Sequence, residues 1–350
     1  MTISIIGAGP GGLTCARILQ KHGVPVTVYD RDPHPRVRNQ GGTLDLHADA
    51  GQLALREAGL LDEFFTLARP EGQEMRKLDP AGRLLVCHVS AEGEMFKPEI
   101  DRGQLRGLLL DSLEPGTVHW GRTLDRVEAP GRLLFTDGTT IETDLVIGAD
   151  GAWSRVRPAV SAAVPEYAGI TFLEAWFDDV ENAHPELAEL VGKGSAMAAD
   201  GERCLFAQRN SGDHIRVYII QRLPADWIES TSDVRGRLLE AFSGWSPSML
   251  RMITDNDGPY VDRPLYVLPV PHTWEHTSWV TLLGDAAHLM PPLGVGVNLA
   301  MVDACELALA LAGSASVGEG VALYEKTMLP RSEEVARQLE NGAQGLLDVD

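Results

Sequence analysis

The residues with the most evident chemistry stand at the start of the chain. Gly7, Gly9 and Gly12 form a G-x-G-x-x-G run directly behind the β-branched stretch Ile3–Ile6, and Asp30 closes a second such stretch, Val26–Tyr29. In a strand–turn–helix–strand unit each of these has a task. The first glycine permits a tight turn, the second lets a pyrophosphate reach the backbone, and the third lets helix and strand pack closely. The helix start offers N–H groups and a positive dipole end to phosphates. Asp30 is placed to accept ribose hydroxyls, and Arg31 beside it joins the cofactor-binding candidates. The chemistry is dinucleotide binding, and the fingerprint by itself does not separate FAD from NAD(P).

Two later segments bear on that choice. Residues 144–157 read DLVIGADGAWSRVR, a buried strand running into a turn at Asp150-Gly151. Residues 280–292 read VTLLGDAAHLMPP, an apolar strand ending in Gly284-Asp285. A loop with Gly294 and Gly296 follows, and Asn298 opens a long helix that runs to about Leu311. Such a loop can present backbone N–H groups to an anionic ring or phosphate. No catalytic side chain stands out: there is neither a Ser-His-Asp set nor a carboxylate pair, and no metal site is expected. The four cysteines, Cys15, Cys87, Cys204 and Cys305, are scattered without C-x-x-C spacing, which fits a reducing compartment. His272 and His276 lack the H-E-x-x-H context of a zinc helix.

These residues need elements to position them. The 350 residues suit two domains or one elaborated α/β domain. The formal charge of -20 disfavours nucleic acid and anionic membranes as partners. No signal peptide and no apolar run of membrane-spanning length is expected, so the reading is cytoplasmic. Residues 75–89 and 133–141 read as hairpins turning at Asp79-Pro80-Ala81-Gly82 and Asp137-Gly138. From about 161 to 261 strands cluster without helix crossovers, with residues 204–207 and 215–221 strand-like and 235–242 helical, which suggests a sheet domain inserted into the Rossmann-like frame. Residues 317–347 are helical by pattern. The expected division is a discontinuous FAD-binding domain (1–70, 98–160 and 262–315), a substrate domain (71–97 and 161–261) and a C-terminal helix (316–350). Trp176, Trp227 and Trp245 suit ordinary packing, with an aromatic pocket as the alternative.

In their order and spacing the three motifs resemble those of the FAD-dependent aromatic hydroxylases of the p-hydroxybenzoate hydroxylase type. Residues 38–47, 98–106 and 284–292 resemble more closely the tetracycline-inactivating flavin monooxygenases. The resemblance implies an α/β fold, a Rossmann-like FAD-binding domain with an inserted mainly-β substrate domain and a C-terminal helix. It also implies a monomer, and antibiotic resistance as one setting. By matching motifs, Asp45, Arg102 and Asp285 take FAD-contacting roles, Asp150 serves both FAD and NAD(P)H, and Arg38 takes the role of binding NADPH. The expected activity is hydroxylation of a small polycyclic, aromatic or polyketide-like substrate with NAD(P)H and O₂ through a flavin hydroperoxide. Arg222 lies near a substrate-contacting position of the family, with a surface arginine as the equal alternative. Two departures stand out. The loop after Pro291-Pro292 is one residue shorter than the family's, and Ala199-Asp200-Gly201 lacks a substrate-binding glutamine. A reductase or dehydrogenase, a halogenase and a prenyl-binding chaperone share the fold. Residues 274–279 do not match the halogenase signature, and the intact glycines and aspartates count against the chaperone.

Overall fold

Runs of β-branched residues punctuated by Gly and Asp organise the chain into sheets. A computed structural model describes residues 2–37, 41–91, 93–201, 203–228, 230–291 and 294–345. In chain order the strands are β1 (Ile3–Ile6), β2 (Val26–Tyr29), β3 (Thr43–Asp45), β4 (Met75–Leu78), β5 (Leu84–His88), β6 (Glu99–Asp101), β7 (Val118–His119), β8 (Leu124–Glu128), β9 (Arg132–Phe135), β10 (Thr140–Glu142), β11 (Leu145–Gly148), β12 (Glu166–Phe177), β13 (Ser195–Asp200), β14 (Arg203–Asn210), β15 (His214–Gln221), β16 (Val261–Val267) and β17 (Val280–Leu282). The helices are α1 (Pro10–Lys21), α2 (Gly51–Ala58), α3 (Leu61–Leu67), α4 (Arg102–Asp111), α5 (Val180–Ala183), α6 (Pro185–Val191), α7 (Val234–Ala241), α8 (Pro247–Thr254), α9 (Asp285–His288), α10 (Gly296–Gly313) and α11 (Val317–Gly345).

The first sheet has the order β17-β11-β1-β2-β7, and its neighbouring strands pair in parallel. β1, β11 and β17 are buried along their whole length, as strands covered on both faces must be. Leu13, Ile18, Met301, Ala304 and Leu307 from α1 and α10 join Ile5, Val146 and Leu282 in one core. Helix α10 is long and apolar enough to cross a membrane, but Met301, Ala304, Leu307, Ala308 and Leu311 are packed inside the protein. Because the strands are parallel, Gly7, Asp30, Asp150 and Asp285 all follow carboxyl ends and gather at one edge, where open α/β sheets place ligands.

The second sheet is built differently. Its order is β16-β12-β15-β14-β13-β4-β5. The β4–β5 hairpin at residues 75–89 forms as expected and joins β13 by a parallel pairing. Along β12, β14 and β15, residues alternate faces. Leu173, Ala175, Leu205, Ala207, Val217 and Ile219 pack on the helices of residues 180–254 as a second core. Ile170, Phe172, Met197, Cys204, Phe206, Tyr218 and Ile220 form a smaller cluster on the opposite face. The long strand β12 and helices α5, α6 and α8 were not expected from the sequence. Its pattern mixes both faces, and their partners are distant in the chain.

Candidate active site

At the first motif, sterics dictate the glycines. Gly7 has φ +110°, and a Cβ there would lie 2.3 Å from the Ala149 carbonyl oxygen. A Cβ on Gly12 would lie 2.1 Å from the Gly7 carbonyl oxygen, whereas one on Gly9 would meet nothing within 4 Å. Gly7 and Gly12 therefore serve packing, whereas the space beside Gly9 is open. Helix α1 begins with no side-chain cap and Pro10 in its first turn, so N–H groups of that turn remain for an anion. Asp30 is held by backbone donors: its carboxylate accepts the Ala8 N–H at 2.6 Å and the Asp32 N–H at 2.8 Å. Arg31 is exposed beside it. Arg102 is exposed in the first turn of α4, and its N–H donates to the Gly42 carbonyl at 3.0 Å. The sequence reading passed over Arg106, one turn later and buried. Its guanidinium donates to the carbonyls of Ala8 at 2.9 Å and Pro35 at 2.8 Å and lies over the Trp120 ring, bracing the dinucleotide loop from behind.

The other motifs close on the first. Asp150 accepts the Ser154 hydroxyl at 2.6 Å and the Arg155 N–H at 2.7 Å, and burial pushes its carboxyl above the ordinary range. Arg157, also passed over, is 2% exposed and donates to the carbonyls of Ala286 (2.8 Å), Ala152 (2.8 Å) and Asp285 (3.1 Å). It ties the Asp-Gly turn to the Gly-Asp turn. The Asp285 side chain is exposed at the start of α9. Beneath it Asp303, fully buried, accepts the Gly284 N–H at 3.0 Å, pairs with His288 at 2.5 Å and accepts from Arg331 at 2.8 Å. Burial opposes charge on both members of the His288–Asp303 pair. Their mutual attraction and hydrogen bond, with Arg331 adding to it at the carboxylate, nevertheless hold Asp303 low and His288 high. His288 thus makes a buried structural hydrogen bond, and Asp303, five residues past Asn298, is the partner the sequence did not reveal. His272 bonds the Ala287 carbonyl and Ser161, and His276 bonds Glu325.

Asn298 organises a third corner. Buried to 2% exposure, it accepts the N–H groups of His47 (2.9 Å) and Gly51 (3.1 Å) and donates to the carbonyls of Asp45 (2.9 Å) and Gly294 (3.4 Å). All its capacity is spent on fastening α10 to the end of β3, the start of α2 and its own preceding loop. Gly294 has φ +85°, and a Cβ there would stand 4.0 Å from both Asp45 carboxylate oxygens. Gly296, the first residue of α10, faces open space. The loop residues Pro292 and Leu293, where the family's pattern is shortened, lie outside the described residues. Asp45 hydrogen-bonds His47 at 3.0 Å, which raises the imidazole above its ordinary value. Across the β3–β6 ladder from Asp45 stands Glu99. It accepts the Thr43 hydroxyl at 2.6 Å, and burial pushes its carboxyl up to about 7.

The inner face of the second sheet supplies side chains that no motif announced. Arg216 is 5% exposed, lies over the Trp176 ring at 4.6 Å and stands 3.5 Å from Glu174. Its Nε is buried with no hydrogen-bond partner among the described residues. Its Nη1 and the Tyr218 hydroxyl approach Gly41 and Gly42, the segment leading into β3: a Cβ on Gly42 would be 3.1 Å from that hydroxyl and 3.7 Å from Nη1. Tyr218 stacks with Phe206 and tilts against Phe172. Trp176 thus belongs to this face, whereas Trp245 packs in the second core against Phe242 and Trp227 is partly buried against that core. Arg222 is exposed just past the end of β15. Arg38 lies outside the described residues.

Fold and site together define a flavoprotein: a parallel sheet whose carboxyl edge accepts a dinucleotide, facing a sheet whose inner surface is aromatic and cationic. Residues 5–50 match the NAD(P)-binding Rossmann-like domain and residues 273–339 the FAD binding domain. The chain is 33% identical to monooxygenase penA of Penicillium thymicola, over 96% of this chain and 93% of that protein. It is 31% identical to the 3-amino-4-hydroxybenzoate 2-monooxygenase of Streptomyces cremeus, over 96% and 85%. The crystal structure of Klebsiella pneumoniae HpxO complexed with FAD and uric acid superposes with a TM-score of 0.83 at 24% identity, covering 99% of this chain and 88% of that one. The chain belongs to the FAD-dependent monooxygenases of the aromatic-hydroxylase type.

Proposed function

We propose that the protein hydroxylates a small aromatic acid, using NADPH and O₂ with FAD as its resident cofactor. The observation that carries the substrate class is the buried Arg216 guanidinium, with an unpartnered Nε, beside the Tyr218 hydroxyl on an otherwise aromatic face. A buried donor without a partner is costly, and a substrate carboxylate or phenolate satisfies it, while Phe172 and Phe206 contact the ring. The Streptomyces cremeus relative is named for an aromatic hydroxy acid, in keeping with this reading.

FAD supplies hydride acceptance and O₂ activation when bound. The chain's own residues position it and shield the chemistry. Asp30 and Arg31 take the adenosine end, Gly9 and Arg102 the pyrophosphate, Asp285 the ribityl chain. Asp45, Gly294 and Gly296 flank the ring end, and Asn298 fixes their spacing. Asp150 bridges the FAD site and the approach of NADPH, which Arg38 binds. Arg222 stands at the rim of the substrate face. The division into a discontinuous FAD-binding domain and a substrate domain follows the two cores, and the protein acts in the cytoplasm.

The test is oxygenation by the FAD-loaded protein with NADPH and ¹⁸O₂. The panel holds hydroxylated aromatic acids, their amides and a tetracycline. The reading expects one ¹⁸O in the product of an acid and weak turnover of its amide. Preferred turnover of the amide or the tetracycline overturns the substrate class. NADPH oxidation with no label in any product overturns the monooxygenase chemistry in favour of a reductase.

A further inference from the structure

The two outer strands of the second sheet differ sharply. An edge strand exposes unpaired N–H and C=O groups, and proteins blunt such edges with charge, proline, brevity or cover. β16 carries Asp262, Arg263 and Pro264. β8 carries Asp125, Arg126 and Glu128, β10 ends in Glu142, β7 has two residues and β17 is buried. β5 carries no charge and no proline, and its one irregularity is a bulge at Leu85, where the register with β4 passes from Lys77↔Val86 to Leu78↔Leu84. It has β4 on one side and no strand on the other among the described residues, and all five of its residues are exposed. Leu84, Leu85 and Val86 are each 55% exposed and the adjoining Val89 69%. No Asp, Glu, Lys or Arg occurs from Leu84 to Ala91, in a chain with a formal charge of -20.

We infer that two copies of the protein associate through β5, pairing antiparallel about a twofold axis to join their second sheets. The occupant follows from charge and geometry. Two strongly acidic molecules repel wherever their surfaces meet, and this uncharged strand is a place where a copy can approach without opposing like charges. The N–H and C=O groups of an exposed edge, otherwise bonded to water, are matched repeat for repeat by another strand, and an antiparallel pair about a twofold is self-complementary. Centred on Cys87, within the part of β5 that pairs regularly with β4, the pairing sets Val86 opposite His88 and the two Cys87 residues directly opposite one another, about 4.5–5.5 Å apart. Five-residue strands bury on the order of 1,000 Å² in total, the low end of specific interfaces, so the dimer is weak and concentration-dependent.

Sedimentation velocity on the FAD-loaded protein across the micromolar range tests this. The wild type should pass from monomer to dimer, and Leu85→Lys with Val86→Lys should weaken dimerisation at least about tenfold while keeping the wild-type flavin absorbance. A short bismaleimide should link two chains, and Cys87→Ser should abolish the link; Cys87 is the exposed cysteine, Cys15 and Cys204 being buried. A wild type that stays monomeric at hundreds of micromolar overturns the inference. So does a dimer that survives the lysine substitutions or is not linked through Cys87, and so does open-ended association.

Discussion

The two sheets meet at one site but contribute to it by different means. The parallel sheet offers strand ends, and its contacts are backbone: carbonyls under Arg106 and Arg157, N–H groups held by Asp30 and Asp303, and glycines with no room for a Cβ. The antiparallel-rich sheet offers a face, and its contacts are side chains: Arg216, Tyr218, Phe206 and Trp176. A cofactor common to a family suits a backbone cradle that many sequences can build. A substrate suits side chains, which change without disturbing the ladder beneath them. Damage to the first region should therefore abolish flavin binding, and damage to the second should leave the flavin in place.

The largest effect on flavin binding is expected at Gly12. Gly12→Ala drives a methyl into the Gly7 carbonyl, 2.1 Å away, and should weaken FAD at least about a hundredfold, roughly 3 kcal/mol. Equilibrium titration of the apoprotein reads this, and wild-type affinity would break the backbone account. Asp303→Ala comes next. It strands His288 in the interior and leaves Arg331 with Glu306 alone, and losing one partner of a buried charge network costs about 3–5 kcal/mol. Urea unfolding should show that loss together with weaker FAD retention.

Glu99→Gln should act with the opposite sign and depend on pH. The folded protein keeps the Glu99 proton until about 7, whereas the unfolded chain releases it near 4.5. Wild-type stability therefore falls as pH rises across that window and is level above it. The glutamine variant escapes this fall. It should be more stable than wild type by up to about 3 kcal/mol above pH 7, with the gain vanishing below pH 4.5. A gain equal at pH 5 and pH 8 would contradict the assignment. Tyr218→Phe should be mildest, raising KM for the acid substrate about tenfold through a lost hydrogen bond of about 1–1.5 kcal/mol, with FAD affinity unchanged.

The same contrast explains what could be read from the chain. Gly7, Asp30, Asp150 and Asp285 were legible because each sits a few residues from the strand that aims it, so local spacing carries the geometry. Arg106 and Arg157 stood inside quoted motifs, but their role depends on carbonyls about a hundred residues away or more. Arg216 and Tyr218 carry no motif. Their orientation is set by pairing with β12 and β14, and only the alternation Ile215, Val217, Ile219 against Arg216, Tyr218, Ile220 hints at two faces. The glutamine missing at Ala199 bore on tetracyclines, but not on Arg216, which sits on a different strand.

The central claim, that backbone holds the cofactor and the inner face of the second sheet holds the substrate, is tested most directly by Arg216→Lys. Lysine keeps the charge but loses the planar fork that recognises a carboxylate. FAD dissociation constant and KM for the preferred aromatic acid should be measured on the same preparation. The account predicts an FAD constant within about twofold of wild type and a KM raised more than about tenfold. Loss of FAD in step with substrate, or an unchanged KM, would contradict it.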